Sequence, residues 1–255
     1  MPSRYRSLLP ALGLALALAG CSSAAPAPRS PGDHVTAAEA KTLANLLHRD
    51  FQDGGADFVE TAPYAEGALL KITGSVDFAR SVGHAQALTT YSNGQPQEKR
   101  TLFFTTKDIW FGDVPDLSEV LAAEKLPAAT YVRRPLGPVS SAGQPRLTDI
   151  LVQLVLNLSA RSSDDPASFQ KGDYTWQGQQ VIGGKVASVY RLAGGSTVAV
   201  STDKQLMQYV TTLPGQDFKI TITLPAHGRR TIDLPSDAQT VSQAEHPEVL
   251  EKLGI

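Results

Sequence analysis

From Ala68 to Phe78, apolar or small residues take every second position: Ala68, Leu70, Ile72, Gly74, Val76 and Phe78. Lys71, Thr73, Ser75 and Asp77 lie between them, which is the period-two pattern of a strand with one buried face. Phe218, Ile220, Ile222 and Leu224 repeat the pattern near the C-terminus. Shorter runs predict strands over 84–92, 99–105, 109–112 and 130–134, and later over 173–182, 186–193, 196–202, 205–213 and 217–224. Tight-turn residues separate them at Asn93-Gly94, Thr106-Lys107-Asp108, Gly183-Gly184, Gly194-Gly195 and Asp203-Lys204.

Three stretches carry the helical period instead. Thr36-Ala37-Ala38-Glu39 is a capping-box pattern, followed by Leu43, Leu46, Leu47 and Phe51 and ended by Gly54-Gly55. Asp116 to Leu126 predicts a short helix stopped by Pro127. A Pro/Gly/Ser-rich loop over 135–145 then leads to Leu147, Ile150, Leu151, Leu154, Val155 and Leu158, one wide apolar face, with Asp149, Gln153 and Asn157 on the rest. A short helix from His246-Pro247 to Leu253 ends the chain.

The order is therefore helix, meander, two helices, meander. Strands joined by tight turns are antiparallel, and their apolar face needs a cover. The expectation is an α+β fold: a single, strongly curved antiparallel sheet, an unclosed half-barrel, with helices covering the concave face.

The N-terminus has a different character. Arg4 and Arg6 precede an apolar run from Leu8 to Leu18, and Leu18-Ala19-Gly20-Cys21 follows. A core of about 11 residues is too short for a bilayer span, which needs roughly 20, and suits a signal peptide. The Leu-Ala-Gly-Cys ending resembles a bacterial lipobox. That resemblance implies cleavage before Cys21 and a diacylglycerol on its sulfur. Cys21 is the only cysteine, and a lone cysteine in an exported chain calls for an explanation that acylation supplies. The expected organisation is a signal peptide over 1–20, an acylated Cys21 and flexible tether over 21–35, and one domain over 36–255. The expected place is the cell membrane, lipid-anchored on the extracytoplasmic side.

The element order, with the lipobox at Cys21, the initial helix bearing Leu43, Leu46 and Leu47, the segments Gly67 to Phe78, Gly184 to Arg191 and Val198 to Leu206, and the closing strand plus Ile232-Asp233-Leu234-Pro235, resembles the LolA/LolB-like unclosed β-barrels, and more closely the LppX/LprG lipoproteins of actinobacteria. The resemblance covers nearly the whole folded region. It rests on strands and turns rather than on a catalytic signature. It implies a concavity between sheet and helices that carries an acylated lipid or lipoglycan. No polar motif maps onto a headgroup site.

Composition excludes several classes. Removing Arg4 and Arg6 with the leader takes the net charge from −2 to −4, and the longest basic clusters are Arg133-Arg134 and Arg229-Arg230. Nucleic-acid binding is not expected. His34, His48, His84, His227 and His246 have no metal-ligand spacing and read as surface residues. No nucleophile elbow or phosphate loop occurs, so neither an enzyme nor a cofactor is expected. The aromatic residues read first as core packing and second as cavity lining, and both readings place them facing inward.

The candidate lining comprises Leu70, Ile72, Val76, Phe78, Phe104, Trp110, Ile150, Leu151, Leu154, Val155 and Trp176. Val76 and Val155 are expected to converge on the cavity. The expectation is a membrane-anchored binder and shuttle of a lipid or lipoglycan. The competing class is an envelope module with a filled core that docks a protein partner.

Overall fold

The computed structural model describes residues 29–64, 67–137 and 146–255. Cys21, the signal peptide and most of the expected tether lie outside them.

Helix α1 (Ala37–Asp53) is capped as its sequence predicts. The Thr36 hydroxyl accepts from the Glu39 N–H, the Glu39 carboxylate accepts from the Thr36 N–H, and Gly54 closes the helix in the left-handed region at φ 85°. Two meanders follow. The first is β1 (Gly55–Tyr64), β2 (Ala68–Asp77), β3 (Val82–Tyr91), β4 (Glu98–Thr105), β5 (Asp108–Gly112), α2 (Leu117–Ala123) and β6 (Tyr131–Pro135). Helices α3 (Leu147–Leu156) and α4 (Pro166–Lys171) separate it from the second meander. That one runs through β7 (Thr175–Ile182), β8 (Lys185–Arg191), β9 (Thr197–Ser201), β10 (Leu206–Thr212) and β11 (Lys219–His227). A short β12 (Thr240–Ser242) and α5 (Pro247–Leu253) end the chain.

All twelve strands form one sheet, ordered β12-β6-β5-β4-β3-β2-β1-β11-β10-β9-β8-β7. The antiparallel pair β1–β11 joins the meanders. The sheet is mixed rather than wholly antiparallel, because β12 pairs with β6 in parallel. Its return from β11 is a long connection that ends in a 3-10 turn (Asp237–Gln239), and a long connection permits a parallel pairing that a tight turn forbids.

The sheet is an open half-barrel. Phe111 on β5 and Tyr190 on β8 belong to one hydrophobic core with α1 and α3. Those strands are eight steps apart, about 38 Å if the sheet were flat. Only a sheet wrapped around the helices brings both into that core. Small residues allow the wrapping. A Cβ on Gly83 would collide with the Phe104 ring, and one on Gly74 with the backbone of β3. Phe58, paired in register with Gly74, meets Phe104 edge to face at 6.3 Å. The rings fill space that the glycines leave.

Helices α2 and α5 cover the β6–β12 end through Leu117, Leu121, Val132, Val241, Val249 and Leu250. At the other edge, residues 32–35 run antiparallel to β7: Gly32 donates to Trp176 O, Trp176 to Asp33 O and Val35 to Tyr174 O. The segment ending at 35, expected to be free tether, is thus bonded to the sheet. Arg29 fastens it further, pairing with Glu39 and lying 4.9 Å over the Trp176 ring.

Candidate functional site

Helix α3 lies in the concavity, and its two ends meet two separate cavities. The first, about 310 Å³, lies between α1, α3, α4 and the strands β9 and β10. Leu43, Leu46 and Leu47 come from α1, and Leu154 and Leu158 from α3 and the residues just after it. Phe169, Tyr174, Leu192, Val198, Leu206 and Tyr209 complete its apolar wall. The segment from α3 to α4 is strapped to α1. Ala160 donates to Leu47 O at 3.0 Å and Asp164 to Ala44 O at 2.9 Å, and the Ser163 hydroxyl bonds Asn45 Oδ1 at 2.6 Å. The strap brings Asn157 and Asp164 to the cavity rim.

The second cavity, about 240 Å³, lies at the other end of α3. Leu147, Leu70, Ala87, Leu102 and Phe111 line it, and Thr89, Glu98 and Arg100 stand among its polar residues. Glu98 accepts from the Tyr91 hydroxyl at 2.7 Å, and Arg100 donates to Lys99 O at 2.8 Å. Leu147 and Leu158 are about 16 Å apart along the helix. Between them the core is filled: Leu151, Val155, Phe58 and Phe104 are at most 1% exposed.

The expected lining residues therefore divide. Leu154 borders the first cavity and Leu70 the second. Ile72, Val76, Phe78, Phe104, Leu151 and Val155 sit in the filled core. Ile150 is buried but outside that core, while Val152 and Leu156 are inside it. Trp176 is half-buried beneath Arg29 at the β7 edge. Trp110 faces the other way. It alternates with Ile109 and Phe111, which point into the core, and it stacks with Arg133 at 5.8 Å on the outer face. Three consecutive apolar residues, Ile109-Trp110-Phe111, hid which face was inner.

Several polar residues also differ from expectation. Asp149, placed on the polar face of α3, is buried and accepts two bonds from Arg134, Nη1 to Oδ2 at 2.9 Å and Nη2 to Oδ1 at 2.7 Å. His227, expected at the surface, is buried with Nε2 3.4 Å from Asp50 Oδ1. His84 is half-buried and stacked on Phe103 at 4.4 Å. Burial pushes Asp50 up to about 8, with Asp53 adding to the shift, and pushes His227 below its ordinary value. Glu60 on β1, flanked in register by Ile72 and Ile222, is fully buried with no hydrogen-bond partner among the described residues, and burial raises it well above the carboxylate range. Sequence reasoning missed the rim residues Asn157 and Asp164 and the α4 residue Phe169. Asp165-Pro166, a capping residue before a first-turn proline, was the signal for α4.

No family model matches the chain, and no curated protein does. The solved structures similar to it include the following two. One is LprF from Mycobacterium bovis, 14% identical, with 82% of this chain and 99% of that chain covered and a TM-score of 0.43. The other is a conserved protein from Thermus thermophilus, 10% identical, with 80% and 99% covered and a TM-score of 0.39.

Proposed function

We propose that this chain is an exported lipoprotein, anchored outside the membrane through Cys21, that binds an acyl chain or similar apolar ligand and passes it on. The supporting observation is the first cavity, whose wall is mainly apolar and which is bounded by three helices. Its volume lies at the lower end of the roughly 300–1,000 Å³ typical of small-molecule pockets. That size suits one chain better than a multi-chain lipoglycan.

The anchor would hold this cavity near the bilayer. Arg29 is eight chain steps beyond Cys21, a reach of at most about 29 Å when extended. Residue 35 then bonds Tyr174, whose ring lines the cavity. Each methylene buried is worth about 0.8 kcal/mol, but a chain gives up the same burial on leaving a bilayer. Net affinity is then modest and exchange is permitted.

The test is to secrete the chain from Ser22 onward in its native host, extract it into organic solvent and analyse the extract by mass spectrometry. Acylated molecules in stoichiometric amount support the reading. Their absence favours a protein-docking module instead.

A further inference from the structure

The rim of the first cavity carries charge of one sign only. Among the described residues that line it there is no Lys, Arg or His, and the only formal charge is Asp164. The other polar groups are the Asn157 amide and the phenols of Tyr174 and Tyr209. The Asp164 N–H bonds Ala44 O, which fixes the residue on α1, while its side chain is exposed and makes no hydrogen bond among the described residues. Asp165, next to it, is occupied in accepting from the Ala167 N–H at 2.9 Å. The nearest basic residue along the strap, Arg161, lies over the Phe51 ring, 5.8 Å from its centroid.

Resting on the reading that this cavity takes a chain, we propose that it selects single-chain amphiphiles with a cationic or uncharged, hydroxyl-bearing head and disfavours anionic ones. The apolar wall holds the chain, and the exposed polar lining residues Asn157 and Asp164 place the head at the strap. A phosphate or carboxylate there would face the Asp164 carboxylate with no cation among the described lining residues to receive it. An ammonium head would pair with Asp164. A hydroxylated head would bond to the Asn157 amide and the Tyr174 phenol, which both donate and accept, while the Tyr209 hydroxyl already donates to Ser196 Oγ at 3.4 Å. Both kinds leave no buried charge unpaired.

The test uses the mature chain, residues 21–255 with Cys21→Ser, and displacement of Nile red by amphiphiles of one chain length below their micelle-forming concentrations. Dodecyltrimethylammonium and dodecylamine are expected to displace the dye at least about fivefold more tightly than dodecyl phosphate or dodecanoate, the factor that one ion pair at about 4 Å supplies in water. Monododecylglycerol should fall between them. Asp164→Asn should bring the ammonium and phosphate amphiphiles together without changing the thermal midpoint, since the side chain is exposed. Anionic amphiphiles that bind as tightly as the cationic ones, or a preference unchanged in Asp164→Asn, would overturn the proposal while leaving chain binding intact. If no amphiphile displaces the dye, chain binding in this cavity fails, and the head-group preference with it.

Discussion

Arg134 on β6 grips Asp149 on α3 through two parallel hydrogen bonds, with both side chains about 95% buried. The Gly137 N–H adds a third bond to the same carboxylate, at 2.9 Å. This clamp fixes the N-terminal end of the helix whose two ends border the two cavities.

Removing one partner leaves the other charge buried and alone, which typically costs about 3–5 kcal/mol. Asp149→Ala and Arg134→Ala should each lose stability of that order in urea melts. The double variant Arg134→Met/Asp149→Leu should recover most of it, because an apolar pair of similar volume has no desolvation penalty. Equal losses in the single and double variants would mean that packing, rather than charge, holds α3.

The clamp was hard to see in the sequence. Arg134 sits in a five-residue strand whose alternation is masked by Arg133, and Asp149 has the spacing of a polar helix face. Most strands were legible because apolar and polar residues alternate and glycine pairs mark the turns. Strand β1 was not, although it joins the two meanders. Its inward positions are Ala56, Phe58, Glu60, Ala62 and Tyr64, so a carboxylate and two methyl groups stand where a hydrophobic signal is expected. β12 has three residues and a parallel partner, a pairing that no local pattern specifies. The buried residues of the cavity half were legible as apolar periodicity. What separates a cavity from a filled core is a gap of one or two side chains, set by helix placement.

Asp50 and His227 give the fold a pH dependence. The folded value of Asp50, about 8, exceeds its ordinary 3.8, so the folded chain holds a proton that the unfolded chain releases. Its contribution to stability is full below about 3.8 and is lost as pH rises to about 8. Glu60 acts with the same sign. Burial of His227 and His84 acts with the opposite sign, but only below their ordinary 6.5. Between pH 6.5 and 8 the histidines therefore no longer oppose Asp50. Stability should fall there by up to about 1.4 kcal/mol per pH unit from Asp50. Urea midpoints at the two pH values check this, and Asp50→Asn should flatten the slope. A wild-type midpoint that is level across this range would refute it.

The anchor has its own test. Cys21→Ser should leave an uncleaved, unacylated precursor, with no incorporation of radioactive fatty acid by cells that express it. Equal label in variant and parent would remove Cys21 as the attachment point.

Cavity and core give opposite answers to added volume. Val155 and Val76 were expected to converge on a cavity, but both are fully buried and line neither cavity. Trp at either position must displace packed neighbours, which typically costs about 1–3 kcal/mol. Leu154, one residue away on the same helix, borders the first cavity and is only partly buried. Leu154→Phe can grow into open space, so its stability should stay within about 1 kcal/mol of the parent. It should also weaken Nile red binding several-fold, because the ring occupies volume that the ligand needs. Val155→Trp should show the reverse, a lower denaturation midpoint with dye affinity little changed in the folded fraction. If Leu154→Phe binds dye as the parent does, the apolar ligand lies elsewhere, and the second cavity beside Leu147 and Leu70 becomes the site to fill next.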